Sequence, residues 1–484
     1  MDKLSGMDAS FLHLDTPNVQ MHVAFVAVME PGATPFSFPA LSRELAERVS
    51  RIPALRRKLD PLPLDVHHPA WIEDEAFDPI HHIRDTALPA GSDLDALGDL
   101  VARIDARPID RTRPLWELWI IEGLEGGRFA LFFKIHHALA DGVSGARLFS
   151  RLFDGPEAAI DEELGMVLER PKKTALFREG LVARLRQPKL IVDVAKKAVR
   201  GLRDIVTRRK DPEWEAGGTP LVCPRTPWNA TVGQRRDAAF ATASFATLRE
   251  IKSSFDVTVN DVVLALASGT LRRYLDAREV ELDGSLLSVC PVSIRTEEHA
   301  SEVNNLVSAM FTRLFSEVED PGERLLAIHR GTQAAKWEHQ TFGPENLSGL
   351  AELTSVTTLG ALASLYSKMK LADRHRPFHN LVISNVPGPR ETLTFAGHRV
   401  RQMHCMGPVM EGAGLNLTVL SAGDVVGFSF HVDAELVPDV HEIPSLFADS
   451  LDELLAAARA YRAAKAARKE GDDTVPFALA AFAR

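Results

Sequence analysis

The segment Phe132-Phe133-Lys134-Ile135-His136-His137-Ala138-Leu139-Ala140-Asp141-Gly142 holds the residues of this chain best suited to chemistry. An apolar run ends at two histidines, Asp141 follows His137 four positions on, and Gly142 comes next. Side chains at the end of a strand emerge from a scaffold that can hold them still. A glycine beside them lets another backbone come close. An imidazole titrates near pH about 6.5, so at working pH it is neutral and can take a proton from an attacking alcohol. The pattern suits a general base that acts directly on the acceptor, because no G-x-S-x-G is present to carry an acylated serine. A histidine pair alone says little, since His67-His68 and His81-His82 occur as well. The third pair is set apart by its place between a strand and a helix.

The elements that must position these residues are legible as periodicities. Residues 21–29 read as a strand, 39–50 as a helix and 94–106 as another, with Ser92 and Asp93 as caps. Residues 115–123 and 129–135 read as a hairpin around Glu125-Gly126-Gly127, and a helix starts at Asp141. Alternation of strand and helix resumes at Ala239, with an amphipathic helix over 259–275 and strands at 286–294 and 380–385. The second of these strands is stopped by Pro387-Gly388-Pro389. A hairpin over 415–420 and 425–432 and a helix over 444–457 close the pattern. The expected architecture is mixed α/β in two halves, 1–160 and 236–465, joined by a basic connector over 161–235 and followed by a tail over 466–484.

Composition excludes several classes. A chain of 484 residues, 45% hydrophobic and 25% charged, is long enough for two sizeable cores. The N-terminus has no basic cap followed by an apolar run, so no secretory signal is expected. The longest stretch without Asp, Glu, Lys or Arg is the fifteen residues 353–367, short of the ~20 apolar residues a spanning helix needs. Cys223, Cys290 and Cys405 are far apart and form no C-x-x-C, so buried reduced thiols in a cytoplasmic protein are expected, and no metal. A net charge of -10 argues against nucleic acid as a partner. Yet residues 170–210 carry fourteen Lys and Arg against three acids, leaving -10 - 11 = -21 for the rest.

With these residues in view, the chain resembles the bacterial wax ester synthase/diacylglycerol acyltransferase family. That family lies within the wider group of chloramphenicol acetyltransferase and peptide-synthetase condensation domains. The family's H-H-x-x-x-D-G is matched by His136, His137, Asp141 and Gly142, its P-L-W by Pro114-Leu115-Trp116, and its N-D by Asn260-Asp261. Ser384-Asn385-Val386-Pro387-Gly388-Pro389 matches a further signature, and Met7 to Leu12 and Met21-His22-Val23 are family-like.

The resemblance implies two acetyltransferase-like domains, each a mixed sheet with helices, meeting along a tunnel with the histidines near its middle. It implies His137 as base with His136 ancillary, acyl-CoA as donor, and diacylglycerol or a fatty alcohol as acceptor, with no cofactor. Another hydroxyl acceptor, on a glycolipid or a carrier, is the alternative within the same chemistry. A non-catalytic lipid-surface protein is the alternative outside it. The resemblance makes Asp141 structural, with Arg295 either its partner or a surface charge. Asn260 stands at a helix start, where Asn commonly caps, and the resemblance adds an oxyanion-stabilising role. Asp261 is expected to be structural, Trp116 a core residue with an edge on the pocket, Ser384 and Asn385 substrate-binding with Gly142, and Pro387-Gly388-Pro389 either a rigid turn alone or a wall near the donor channel. The chain departs from the family pattern at Asn304-Asn305 and Ser421-Ala422, both on the acceptor side.

The basic connector has its own reading. Ile191, Val194, Ala198, Leu202 and Ile205 recur at three- and four-residue spacing, with Lys196, Lys197, Arg200 and Arg203 filling the rest of the helix. Such a helix either packs its stripe on a domain core or lies in a membrane interface facing anionic headgroups. The second choice would make the protein peripheral on the inner membrane face or on lipid droplets.

Overall fold

The computed structural model describes residues 4–155 apart from 34 and 61–67, residues 196–293 apart from 198, 212–213 and 215–216, and residues 307–343 and 356–469. Of the residues named above, His67, Ile191, Val194, Ala198, Arg295, Asn304 and Asn305 lie outside that set.

Fourteen strands are described. In chain order they are β1 (His22–Met29), β2 (Arg57–Asp60), β3 (Ala70–Glu73), β4 (Ile83–Ser92), β5 (Trp116–Leu124), β6 (Phe129–His136) and β7 (Arg236–Ser244). Then follow β8 (Leu287–Ser293), β9 (Val307–Arg313), β10 (Leu381–Pro387), β11 (Thr394–Phe395), β12 (His398–Met406), β13 (Leu415–Ala422) and β14 (Val425–Asp433). The principal helices are α1 (Gly6–Leu14), α2 (Phe38–Ser50), α3 (Leu94–Asp105), α4 (Gly142–Ser150) and α5 (Phe245–Phe255). They continue with α6 (Val259–Asp276), α7 (Pro321–Phe342), α8 (Val356–Lys368) and α9 (Ile443–Lys469). Residues 196–208, apart from 198, form the basic helix.

Two six-stranded mixed sheets carry the fold, ordered β11-β12-β1-β6-β5-β4 and β7-β14-β13-β10-β8-β9. All eight residues of β1 are buried, which is why they read as an unbroken apolar run rather than an alternation. Their side chains still divide by the two-residue period of a strand. Phe25, Ala27 and Met29 enter the core shared with α4, while Ala24, Val26 and Val28 enter a second core with Leu97 and Val101 of α3.

That second core joins the halves, because Ala238 and Phe240 of β7 also belong to it. The approach of α3 to β7 is close enough that a Cβ on Gly98 would lie 1.9 Å from the Ala238 carbonyl oxygen. A further link is topological. β12, late in the chain, pairs antiparallel with β1 (Ala24 opposite Met406, Phe25 opposite Cys405), so the second half lends strands to the first sheet.

The expected hairpin is present, turned by Gly126 and Gly127 at φ 68° and 70°. The final helix runs to Lys469, beyond the expected 457, because the alanine-rich continuation favours helix at nearly every position.

Candidate active site

The histidines are set by the end of β6. His136 pairs across to His22 of β1, and the His137 backbone N–H donates to the Met21 carbonyl at 2.7 Å, closing the register where the chain turns. Asp141 then caps α4, its carboxylate accepting the Ser144 N–H at 2.8 Å. Gly142 and Gly145 make the seating possible. A Cβ on the first would lie 3.0 Å from Val386 of β10, and one on the second 2.8 Å from the Phe25 ring.

The two imidazoles have different surroundings. His136 is buried; its Nδ1 accepts the Ala138 N–H at 3.0 Å, which puts the ring proton on Nε2, facing Asp15 Oδ2 at 3.0 Å. Asp15 also accepts from the Met21 N–H and from Arg111. Burial pushes its carboxyl up, but the hydrogen bonds from His136, Arg111 and Met21 outweigh that and hold it down at about 2. His137 is half-buried, and its ring stacks on Phe11 of α1, centroids 4.0 Å apart.

Behind His136 lies a wholly buried set. His22 meets His136 edge-on, its Nδ1 lies 3.0 Å from the Asp105 carbonyl, and Lys134 donates to the Ile104 carbonyl at 2.9 Å. Burial, reinforced by the Lys134 charge, lowers His22 well below the usual imidazole range, so it is neutral there.

His137 opens on a cavity of about 530 Å³ between the halves. Phe11, Leu14, Met21 and Val23 wall it on one side, and Val289, Val382, Val386 and Met410 on the other. The polar side chains on it are few: His137, Asp141, Ser308, Ser384, Asn416 and Thr418. Ser308 is 2.7 Å from His339 Nε2, and Thr418 donates to Asn416 Oδ1 at 2.8 Å. The Ser384 hydroxyl has no partner among the described residues. An imidazole base, a free hydroxyl donor and apolar walls can activate an alcohol and shelter a long acyl chain.

Of the sequence-derived candidates, His137, Asp141, Gly142 and Ser384 converge on this cavity. Others do not. Asn260 does not cap α6; Thr258 does, in a capping box with Asp261. Nor is Asn260 among the cavity residues. Strand alternation places Ser384 and Asn385 on opposite faces of β10, and Asn385 Nδ2 donates to Asn260 Oδ1 at 3.4 Å away from the cavity.

Asp261 is buried and joins α6 to α7 through His329 Nδ1 and the Thr332 hydroxyl, each at 2.7 Å. Trp116 is wholly buried, donates to the Leu55 carbonyl at 2.7 Å and stacks on His82, so it has no edge on the cavity. Its neighbour Pro114 is buried at the head of β5. Arg295, the suggested partner of Asp141, lies outside the described residues. Asp15 and Phe11 were missed. Phe11 falls inside the Met7–Leu12 segment, but nothing local signals that either residue would meet a histidine more than a hundred positions on. Among the described residues, the one cluster of metal-ligating type is Asp99, Asp237 and His441, at the seam of α3 and β7.

Comparison with known proteins points to one family. The family model of the wax ester synthase/diacylglycerol acyltransferase catalytic domain matches residues 4–263, and that of the corresponding C-terminal domain matches 303–455. A Mycobacterium tuberculosis protein bearing the name diacylglycerol O-acyltransferase is 32% identical over 94% of this chain and 90% of its own length. The solved wax ester synthase/diacylglycerol acyltransferase of Marinobacter aquaeolei is 26% identical, covers 94% of this chain and 100% of its own, and superposes with a TM-score of 0.66. The starter condensation domain of rhizomide synthetase, 15% identical with a TM-score of 0.51 over 95% of each chain, shares the fold.

Proposed function

We propose, for a chain that belongs to the wax ester synthase/diacylglycerol acyltransferase family, that it moves an acyl group from acyl-CoA to the hydroxyl of diacylglycerol or a long-chain alcohol, with His137 as general base. The observation that carries this is the half-buried His137 ring, stacked on Phe11 and opening on an apolar cavity between two sheets.

In the reaction, a ring nitrogen of His137 takes the hydroxyl proton as the acceptor oxygen bonds to the thioester carbonyl carbon. The carbonyl oxygen becomes an oxyanion, to which the Ser384 hydroxyl, on the same cavity, would donate. Collapse breaks the C–S bond, and the departing CoA thiolate takes the proton back from the imidazolium. Apolar walls keep water from competing with the acceptor.

The test is turnover of purified protein with labelled palmitoyl-CoA against diacylglycerol, hexadecanol and a glycolipid. Wild type should esterify at least one, and His137→Ala should fold normally and lose about 10²–10⁴-fold. Near-normal turnover in that variant would end the assignment.

The finer reading is attachment to a lipid surface through the basic helix. Its support is that the helix docks on one side only. A Cβ on Gly201 would lie 3.0 Å from Phe342 Cα, Ile205 is half-buried, and Arg209 pairs with Glu338 at 2.7 Å. Val199, Leu202 and Val206 stay exposed, as do Lys196, Lys197, Arg200 and Arg203. Among the described residues no helix is long and apolar enough to cross a membrane. Flotation with anionic vesicles should weaken with salt and when those four cations become Gln. Equal flotation of the two proteins would leave the helix as a connector.

A further inference from the structure

Large apolar side chains scattered singly over a surface need no explanation, whereas a connected group does. Of the ten that lie exposed among the described residues, nine fall within two stretches, 199–222 and 362–378. The first three, Val199, Leu202 and Val206, are on the basic helix. Leu362, Leu365 and Met369 are 56%, 51% and 44% exposed and stand at i, i+3 and i+7, along one outer face of α8 and its C-terminal end. Leu221, Val222 and Phe378 lie between, where the two stretches touch: the Leu221 N–H donates to the Phe378 carbonyl at 3.3 Å, and Cys223 Sγ meets the Pro377 carbonyl at 3.2 Å. Arg209 closes the other end, bonding Thr219 and the Gly218 carbonyl. The exposed apolar residues thus follow one continuous course of chain contacts.

Charge accompanies that course. Lys368, Lys370 and Arg374 are exposed and have no acidic partner among the described residues, in a chain of net charge -10. Unpaired cations beside an exposed apolar stripe are complementary to an anionic phospholipid surface. In a two-fold contact the same cations would face one another, which disfavours a second copy seated face to face on this stripe.

The place of α8 gives the surface its use. This helix packs on α1, close enough at Gly360 that an added Cβ would lie 3.3 Å from the His13 carbonyl oxygen. The inner side of α1 supplies Met7, Phe11 and Leu14 to the cavity, and Phe11 is the residue stacked on His137. The end of α8 also meets the 410–412 turn, where Gly412 faces Ala372 and Tyr366 and Met410 lines the same cavity.

We infer that the outer face of α8, with Leu362, Leu365 and Met369 inserted and Lys368, Lys370 and Arg374 on headgroups, seats the protein on an anionic phospholipid surface. In that pose α8 rests on the lipid with the α1 wall of the cavity directly behind it. An insoluble acceptor then reaches His137 from the bilayer rather than through water. The inference builds on the acyltransferase reading, and only for its turnover measurements.

The experiment compares wild type with Leu362→Glu/Leu365→Glu/Met369→Glu and with Lys368→Gln/Lys370→Gln/Arg374→Gln. Each is measured by flotation with phosphatidylcholine vesicles with and without phosphatidylglycerol. Turnover is measured on vesicle-borne diacylglycerol and on a water-soluble pair, hexanoyl-CoA with a short alcohol. The glutamate variant should float about tenfold less and lose vesicle turnover in step, while turnover on the soluble pair stays within about twofold. The glutamine variant should lose only the part of binding that needs phosphatidylglycerol. Flotation equal to wild type in the glutamate variant overturns the inference. So does an equal loss on the soluble pair, which would make α8 a support for the cavity. So does a concentration-dependent dimer abolished by the glutamates with flotation unchanged, which would make the face a contact between copies. If wild type transfers to no acceptor, the acyltransferase reading fails while flotation still decides the surface.

Discussion

Ser384 and Asn385 are adjacent in sequence, yet only Ser384 meets the cavity. If its hydroxyl receives the oxyanion, Ser384→Ala should lower kcat about 10²–10³-fold with KM little changed. Asn260→Ala, a residue off the cavity, should leave kcat within about threefold of wild type. The reverse ranking would return the oxyanion to the amide. Asp15 offers a second test at this scale. Its folded value of about 2 lies below the ordinary 3.8, so it adds stability that is complete above pH about 4 and lost as pH falls toward 2. A shift of that size corresponds to about 2 kcal/mol. Asp15→Asn should therefore flatten the acid limb of the stability curve and lower turnover, since the same carboxylate holds His136 and the end of α1. An acid limb identical to wild type would show that the carboxylate is not under that load.

Elements are held to one another by a few buried groups, and α6 is the clearest case. Asp261 completes its capping box and reaches His329 and Thr332 of α7. Burial pushes its carboxyl up, but the bond to His329 and those to Thr258 and Thr332 win and leave it lowered. Asp261→Ala strands these donors in the core and should cost about 3 kcal/mol in chemical denaturation. Below the new melting temperature turnover should be nearly normal, because Asp261 is not a cavity residue. Lost turnover with unchanged melting would instead give this carboxylate a part in the reaction. The motif histidines owe their position to a similar economy of parts: a strand end, a helix cap at Asp141, and Gly142 and Gly145 where β10 and Phe25 come close.

Across the whole molecule the halves are joined by α3 against β7 and by β12 in the first sheet. Gly98→Ala would drive a Cβ into a carbonyl that neither backbone can easily move, and should cost about 3 kcal/mol. Because the cavity is shared between the halves, turnover should fall with stability, and intrinsic fluorescence should report a loosened seam before global unfolding. A variant as stable and active as wild type would mean that α3 can shift without disturbing the site.

What the sequence by itself determined is what depends on neighbours along the chain. β1, the β5–β6 hairpin, α4 behind Asp141, α6 and the β13–β14 hairpin all follow from period and turn chemistry, and each is found within a residue or two of its expected bounds. The base candidate was legible for the same reason, since a strand end, two histidines and a helix cap are contiguous. α1 and β12 have equally local sequences, but their partners lie far away: α1 acts through Phe11 on His137, and β12 leaves the second half to join β1. Local pattern also could not choose a face at each site. Asn260 was read as a cap and an oxyanion donor, but Thr258 takes the cap, and Asn260 instead meets Asn385, which strand alternation turns to the face opposite Ser384. Trp116 lost its edge on the pocket to a backbone carbonyl at Leu55, sixty-one positions earlier. Direction, burial and pairing across the two sheets are set by packing between distant segments, and only the tertiary structure decided them.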